Sequence, residues 1–284
     1  MDSIKDILTA QRPGQVVRAH LNSGSNPLRK AELPDVCICT TMPGGEKMGY
    51  IYASVYDDGS RITERLPNGT LNPDYGVSHR CVCRVAGDEQ RHREFLWKEA
   101  NLPHGTWAFS DYQTHFQDES PQLEQRRRGA LIAAREWAAG ISSNAWLFLY
   151  GPMGTGKTFL SGAIVSALIG ANIHARYEYV PELIDLLRKG QGDGTYEDKV
   201  AHLKAVTVLV LDDLNAAKTT EWADGEILKI IDWRYRERAP LLVTTNVPTE
   251  QMEPRTLDRL MDRRMSVAVP MVWQSFRRMP WLIM

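Results

Sequence analysis

Gly151-Pro152-Met153-Gly154-Thr155-Gly156-Lys157-Thr158 fits G-x-x-x-x-G-K-[ST], a spacing of residue types that can wrap nucleotide phosphates. The glycines let the backbone turn so that several N–H groups point at one anion. Lys157 would set its ammonium on the β- and γ-phosphates, and the Thr158 hydroxyl would be a Mg²⁺ ligand. A glycine-rich turn in some other α/β protein is the bland alternative. A second set of chemistry-bearing residues lies downstream. The apolar run Val206–Leu211 ends in Asp212-Asp213, where the first acid suits a Mg²⁺–water shell and the second could polarise an attacking water. Two solvated acids capping a strand would look the same if the loop were absent. Asn246 ends the next apolar run, Leu242–Thr245; its amide could contact the water or the γ-phosphate, or merely start the turn before Val247-Pro248. Then come Arg259, Arg263, Arg264, Arg277 and Arg278. An arginine inserted at a phosphoryl-transfer site contributes about 10³–10⁵ in rate, although any one of these could simply solvate a helix face.

Such groups need a scaffold to position them. Trp146–Tyr150 reads as a buried strand before the phosphate loop, and Phe159–Leu168 is apolar at helical spacing after it. Strand, loop, helix is the order the chemistry requires, because the helix N-terminus adds its dipole to the anion site. Helix Leu123–Ala139 precedes this unit, and strands at Ala175–Val180, Val206–Leu211 and Leu241–Thr245 follow with helical patterns between them. Alternating strands and helices imply an α/β fold with a parallel sheet covered on both faces.

The first 120 residues differ in character, being punctuated by Pro13-Gly14, Pro43-Gly44-Gly45 and Pro67-Asn68-Gly69. Tyr50–Val55 and Arg61–Leu66, joined through Asp57-Asp58-Gly59, read as a β-hairpin, Gln90–Glu99 as a short helix, and Asn101–Phe116 as an irregular connector. The expected division is 1–100, a small N-terminal domain; 101–122, a linker; and 123–284, the nucleotide-binding domain. With 284 residues the chain can bury one large core or two ordinary ones. Its formal charge of −1 hides a gradient: residues 1–120 hold 13 basic and 16 acidic side chains, residues 229–284 hold 10 and 6. A modest basic excess permits nucleic-acid contact without demanding it. No apolar run reaches membrane-spanning length and Met1–Ala10 lacks signal-peptide character, so a cytoplasmic protein without membrane contact is expected.

Cys37, Cys39, Cys81 and Cys83 are all the cysteines present. Two C-x-C pairs bracketing a hairpin would place four thiolates around one tetrahedral Zn²⁺, with His79 and His92 as substitute ligands; a disulfide pair is the alternative.

GPMGTGKT, VLVLDDL, VTTN, LDRLMDRR and SFRR, in that order and spacing, resemble the AAA+ ATPases of the DnaC/DnaI helicase-loader group and the related IstB transposition proteins. The likeness runs from about Phe109 to Arg278. It implies that Asn246 is the sensor-1 residue, Arg263 the arginine finger with Arg259 as runner-up, and Arg277 the sensor-2 residue. It also implies ATP as substrate, Mg²⁺, an open-spiral homo-oligomer, a grip on single-stranded DNA and a replicative hexameric DNA helicase as partner. Asn215 and Phe276 depart from the group, which often has Gly and Tyr there. Only fourteen residues follow Pro270, too few for the helical lid of protein unfoldases, so a switch rather than an unfoldase is expected. DnaI-type loaders carry an N-terminal zinc domain with paired cysteines and a Gly-Tyr, here Gly49-Tyr50, which favours a loader over an IstB-like transposition ATPase. Arg188, Lys189 and Lys218 are the candidates for DNA contact.

Overall fold

The computed structural model describes residues 50–52, 71–72, 78–80, 82–105, 107–116, 120–140, 144–214 and 220–276. Cys37, Cys39, Cys81, Asn215, Lys218, Arg277 and Arg278 lie outside the described residues, and for Cys83 only the backbone is described. The chain divides into two compact units, 12–94 and 95–284, the latter together with 1–11. In the first, β1 (Tyr50–Tyr52) pairs antiparallel with β2 (Ser78–Arg80), Ile51 opposite His79. The expected hairpin partner Arg61–Leu66 lies outside the described residues. Helix α1 (Val82–Glu99) starts well before Gln90, because Gly87 in its interior costs only about 1 kcal/mol and does not stop it.

The second unit is built on a five-stranded, wholly parallel sheet in the order β4-β5-β6-β3-β7. Its strands are β3 (Trp146–Tyr150), β4 (Ala175–Tyr179), β5 (Val208–Asp212), β6 (Leu241–Thr245) and β7 (Ser266–Pro270). Both faces of the central strands are covered, which is why WLFLY, VLVLD and LLVTT read as continuous rather than alternating apolar runs. One face packs against α2 (Pro121–Ala138) and α3 (Lys157–Gly170), with Leu147, Leu149, Ile164 and Trp137 in the same core. The other packs against α4 (Val180–Asp193), α5 (Tyr196–Ala205) and α6 (Glu221–Arg236), with Trp146, Phe148, Leu187 and Ile230. Helix α3 is buried nearly all round, so it carries apolar residues on every face rather than a stripe.

Strand β7 was not foreseen. It is short, lies at the sheet edge beside β3 and ends in Pro270, a residue that edge strands tolerate. It is preceded by α7 (Pro254–Leu260), whose first turn is capped by Glu253 accepting from Arg255 N at 2.9 Å and Thr256 N at 2.6 Å. The register sets Tyr150 beside Thr245, Leu211 beside Val243, and Tyr179 beside Asp212, so four strands end at one level. In an open parallel sheet that level is where ligands bind. Among the described residues no helix is long and apolar enough to cross a membrane.

Candidate nucleotide site

The phosphate loop fills the step from β3 to α3. Gly154 and Gly156 sit at φ 77° and 92°, a region that L-residues other than glycine avoid. A Cβ on Gly154 would fall 1.9 Å from Ser275 Oγ, and one on Gly156 would meet the Tyr112 and Phe276 rings at 2.7 and 2.9 Å. Space as well as φ demands glycine here. The loop is also pinned from behind: Phe276 N donates to Gly154 O at 2.8 Å, and Trp273 Nε1 and Tyr112 Oη both donate to Thr155 O, at 3.1 and 3.4 Å.

Lys157 is 5% exposed, and its ammonium donates to Gly151 O at 2.8 Å and Pro152 O at 2.7 Å. Burial pulls its pKa down to about 8, against the opposing pull of Asp213 and Asp212. The cation is thus held by the loop's own carbonyls, a poor substitute for phosphate oxygens.

Asp212 ends β5 almost fully buried and takes three hydroxyl donors. Thr158 and Tyr177 donate to Oδ2 at 2.8 and 2.7 Å, and Thr244 donates to Oδ1 at 2.7 Å. Asp213 follows at φ 63°, a strained conformation for a non-glycine residue, with its N–H given to Thr244 Oγ1 at 2.9 Å. Its side chain accepts from Asn246 Nδ2 and from Tyr179. Burial, then the neighbouring Asp212 charge, raises the Asp213 pKa above the ordinary carboxylate range, a shift toward proton-accepting strength. Lys157, Thr158, Asp212, Asp213 and Asn246 therefore converge on one cleft of about 760 Å³. Thr158 and Asp212, a hydroxyl and a carboxylate already 2.8 Å apart, are an all-oxygen set suited to Mg²⁺.

The cleft has a wall that motif reading missed. Asn101, Leu102, Pro103, His104 and Trp107 line it, and Trp107 and Tyr112 pack on Phe159 with ring centroids 5.7 and 6.0 Å apart. The stretch expected to be an irregular connector carries one turn of 3-10 helix, Phe109–Asp111, and its described residues lie on the nucleotide-binding unit itself. Its aromatic residues Trp107, Phe109 and Tyr112 were the available signal, hidden because they follow no helical or strand period.

The late arginines separate by their partners. Arg259 is paired with Asp232 and stacked 4.9 Å over the Tyr235 ring; Arg264 is held by Asp262 at 2.8 and 2.9 Å. Arg263 is exposed, its side chain has no hydrogen-bond or ion-pair partner among the described residues, and it does not line the cleft. Arg188 reaches Asp185 at 3.5 Å and lies 5.5 Å from the Trp222 ring, and Lys189 is exposed.

A parallel sheet with this strand order, a phosphate loop after β3 and acids at the end of β5 defines an AAA+ P-loop ATPase. Residues 83–269 match the family of IstB-like ATP binding proteins, and the chain belongs to that family, within the wider DnaC/DnaI/IstB group. It is similar to the replicative helicase loader DnaI of Bacillus subtilis, 30% identical over 206 residues that cover 68% of this chain and 65% of DnaI. It is also similar to the insertion-sequence IS1162 putative ATP-binding protein of Pseudomonas fluorescens: 30% identical over 171 residues, 58% of this chain and 68% of that one. Five further insertion-sequence proteins match over 44–56% of the chain, at 25–31% identity. Among solved structures, AMPPCP-bound DnaA from Aquifex aeolicus superposes with a TM-score of 0.50 at 18% identity, over 60% of this chain and 51% of that one, which shows the shared fold.

Proposed function

We propose that this chain is an ATP-driven switch acting at DNA, and that it works as a transposition ATPase of the IstB kind, binding DNA and recruiting or regulating a transposase. The observation that carries the switch is the half-built site. Loop, acids and sensor amide share one cleft, while Arg263 stands outside it, exposed and without a side-chain partner among the described residues, where a neighbouring subunit's nucleotide could receive it. The insertion-sequence relatives and the family match support the transposition reading over the loader reading that the paired cysteines favour.

In this mechanism the loop N–H groups and Lys157 hold the β- and γ-phosphates of ATP. Thr158 and Asp212 would hold Mg²⁺, which neutralises charge on the phosphate oxygens. Asp213 polarises the attacking water, Asn246 orients it, and Arg263 from an adjacent copy, with Arg277, completes the charge stabilisation. Hydrolysis to ADP and phosphate then resets binding rather than driving a metabolic reaction. The test is ATP-dependent assembly of the full chain on DNA. Preference for duplex DNA with capture of a transposase supports the proposal; failure to assemble on any DNA with ATP refutes the switch.

A second reading, a helicase loader, is favoured by the DnaI match, which covers more of this chain than the insertion-sequence matches do. Preference for single-stranded DNA and co-purification with a hexameric helicase would establish it instead. Under either reading we propose that Cys37, Cys39, Cys81 and Cys83 bind one structural Zn²⁺ and stabilise the turn-rich N-terminal region as a partner-facing domain. Metal analysis of the purified protein should find one zinc per chain, and a value well below one refutes this. Among the described residues no cluster of His, Cys, Asp or Glu is placed to hold a metal in its stead.

A further inference from the structure

We infer that Tyr177 is a positioning residue for the metal-side carboxylate, fixing Asp212 from the neighbouring strand and tying it to the 101–104 wall of the cleft. The inference rests on the reading of Asp212 as the acid beside Mg²⁺ and extends it to a residue outside every motif. Of the three hydroxyls on Asp212, those of Thr158 and Thr244 have other duties. Thr158 is the expected metal ligand, and the Thr244 oxygen also accepts from Asp213 N.

Tyr177 is different. It lies on β4 opposite Val210, two residues before Asp212, a diagonal that an aromatic side chain can span. The ring is 5% exposed, and the phenol gives its proton to Asp212 Oδ2 at 2.7 Å. Its backbone is clamped on both sides: the N–H donates to Ala100 O at 2.8 Å, and the carbonyl accepts from Asn101 Nδ2 at 3.2 Å. The same Asn101 amide reaches Glu178 Oε2 at 3.2 Å, and Asn101 itself lines the cleft.

Of the two donors to Oδ2, Tyr177 is thus the one not assigned to the metal. If the Thr158 oxygen were given to a cation, the tyrosine would still hold Oδ2. Partners that orient a metal-binding carboxylate are worth about 10–100-fold in metal affinity.

The experiment compares full-length wild type and Tyr177→Phe, which keeps the ring, by calorimetric titration of ATP in EDTA and across a Mg²⁺ series. ATP affinity in EDTA should be unchanged, while the Mg²⁺ concentration giving half the maximal gain in affinity should rise roughly tenfold. An unchanged Mg²⁺ midpoint, or an equal loss of affinity with and without Mg²⁺, overturns the role of Tyr177. If wild type itself gains no affinity from Mg²⁺, the metal reading of Asp212 fails first, and this inference with it. Should Tyr177→Phe melt early, Asn101→Gly tests the same link through the backbone clamp, glycine being tolerant of the φ of 52° at that position. A raised Mg²⁺ midpoint there supports the inference, and an unaltered one overturns it.

Discussion

Raising the pH from 7.5 to 9 should weaken nucleotide binding through Lys157, by roughly eightfold if the bound lysine stays charged. The structure gives both halves of that expectation. Without nucleotide, the ammonium is buried against two backbone carbonyls and its pKa falls to about 8. Phosphate oxygens restore the charged form, so binding must take up the missing proton. About a quarter of the lysines lack it at pH 7.5 and about nine-tenths at pH 9. Calorimetry of MgADP binding in two buffers of different ionisation enthalpy counts that proton directly, and ADP is fully ionised across the range. Proton uptake should rise from about 0.2 to about 0.9 per site. The nucleotide-free protein should respond with the opposite sign. The folded-state Lys157 pKa of about 8 lies below the ordinary lysine value of 10.5, so the unfolded chain binds more protons in that window and this group adds stability as pH climbs through it. Binding that strengthens with pH, or that takes up no proton at pH 9, would refute the placement of Lys157.

Arg263→Ala should leave ATP affinity nearly intact while removing about 10³-fold or more of assembly-stimulated hydrolysis, as read by phosphate release with and without DNA. Gly154→Ala drives a Cβ into Ser275 at a left-handed φ, so ATP affinity should drop roughly tenfold or more, with the far-ultraviolet spectrum retained. Arg234 is fully buried and donates to Pro240 O at 2.8 Å and to Leu203 O and Val206 O at 2.7 Å; Arg234→Met strands those carbonyls. A loss of roughly 3–5 kcal/mol in urea unfolding is expected, and a loss under 1 kcal/mol would mean the carbonyls find other donors.

Which parts of the site could be read from sequence follows from how local each part is. Gly151–Thr158 is one continuous turn, so its residue types and spacing carry its geometry. Asp212-Asp213 and Asn246 were legible because each ends an unbroken apolar run, and ends of parallel strands meet at one level. Arg259 and Arg263 could not be told apart in LDRLMDRR, because the difference lies in Asp232 and Tyr235 on α6, which hold the first and ignore the second. Strand β7 escaped because its pairing with β3 is its main support, and five residues ending in proline announce little alone.

The chain's order of residues determined that it holds a nucleotide: the loop, the apolar strands and the acids follow from local geometry and from burial on both sheet faces. Tertiary structure alone decided what closes that site. Asn101–His104, Trp107 and Tyr177 come to the cleft, and Trp273 and Phe276 to the back of the loop, from segments far apart in the chain that share no period with it. Their contacts depend on packing at distance, which no spacing along a sequence encodes.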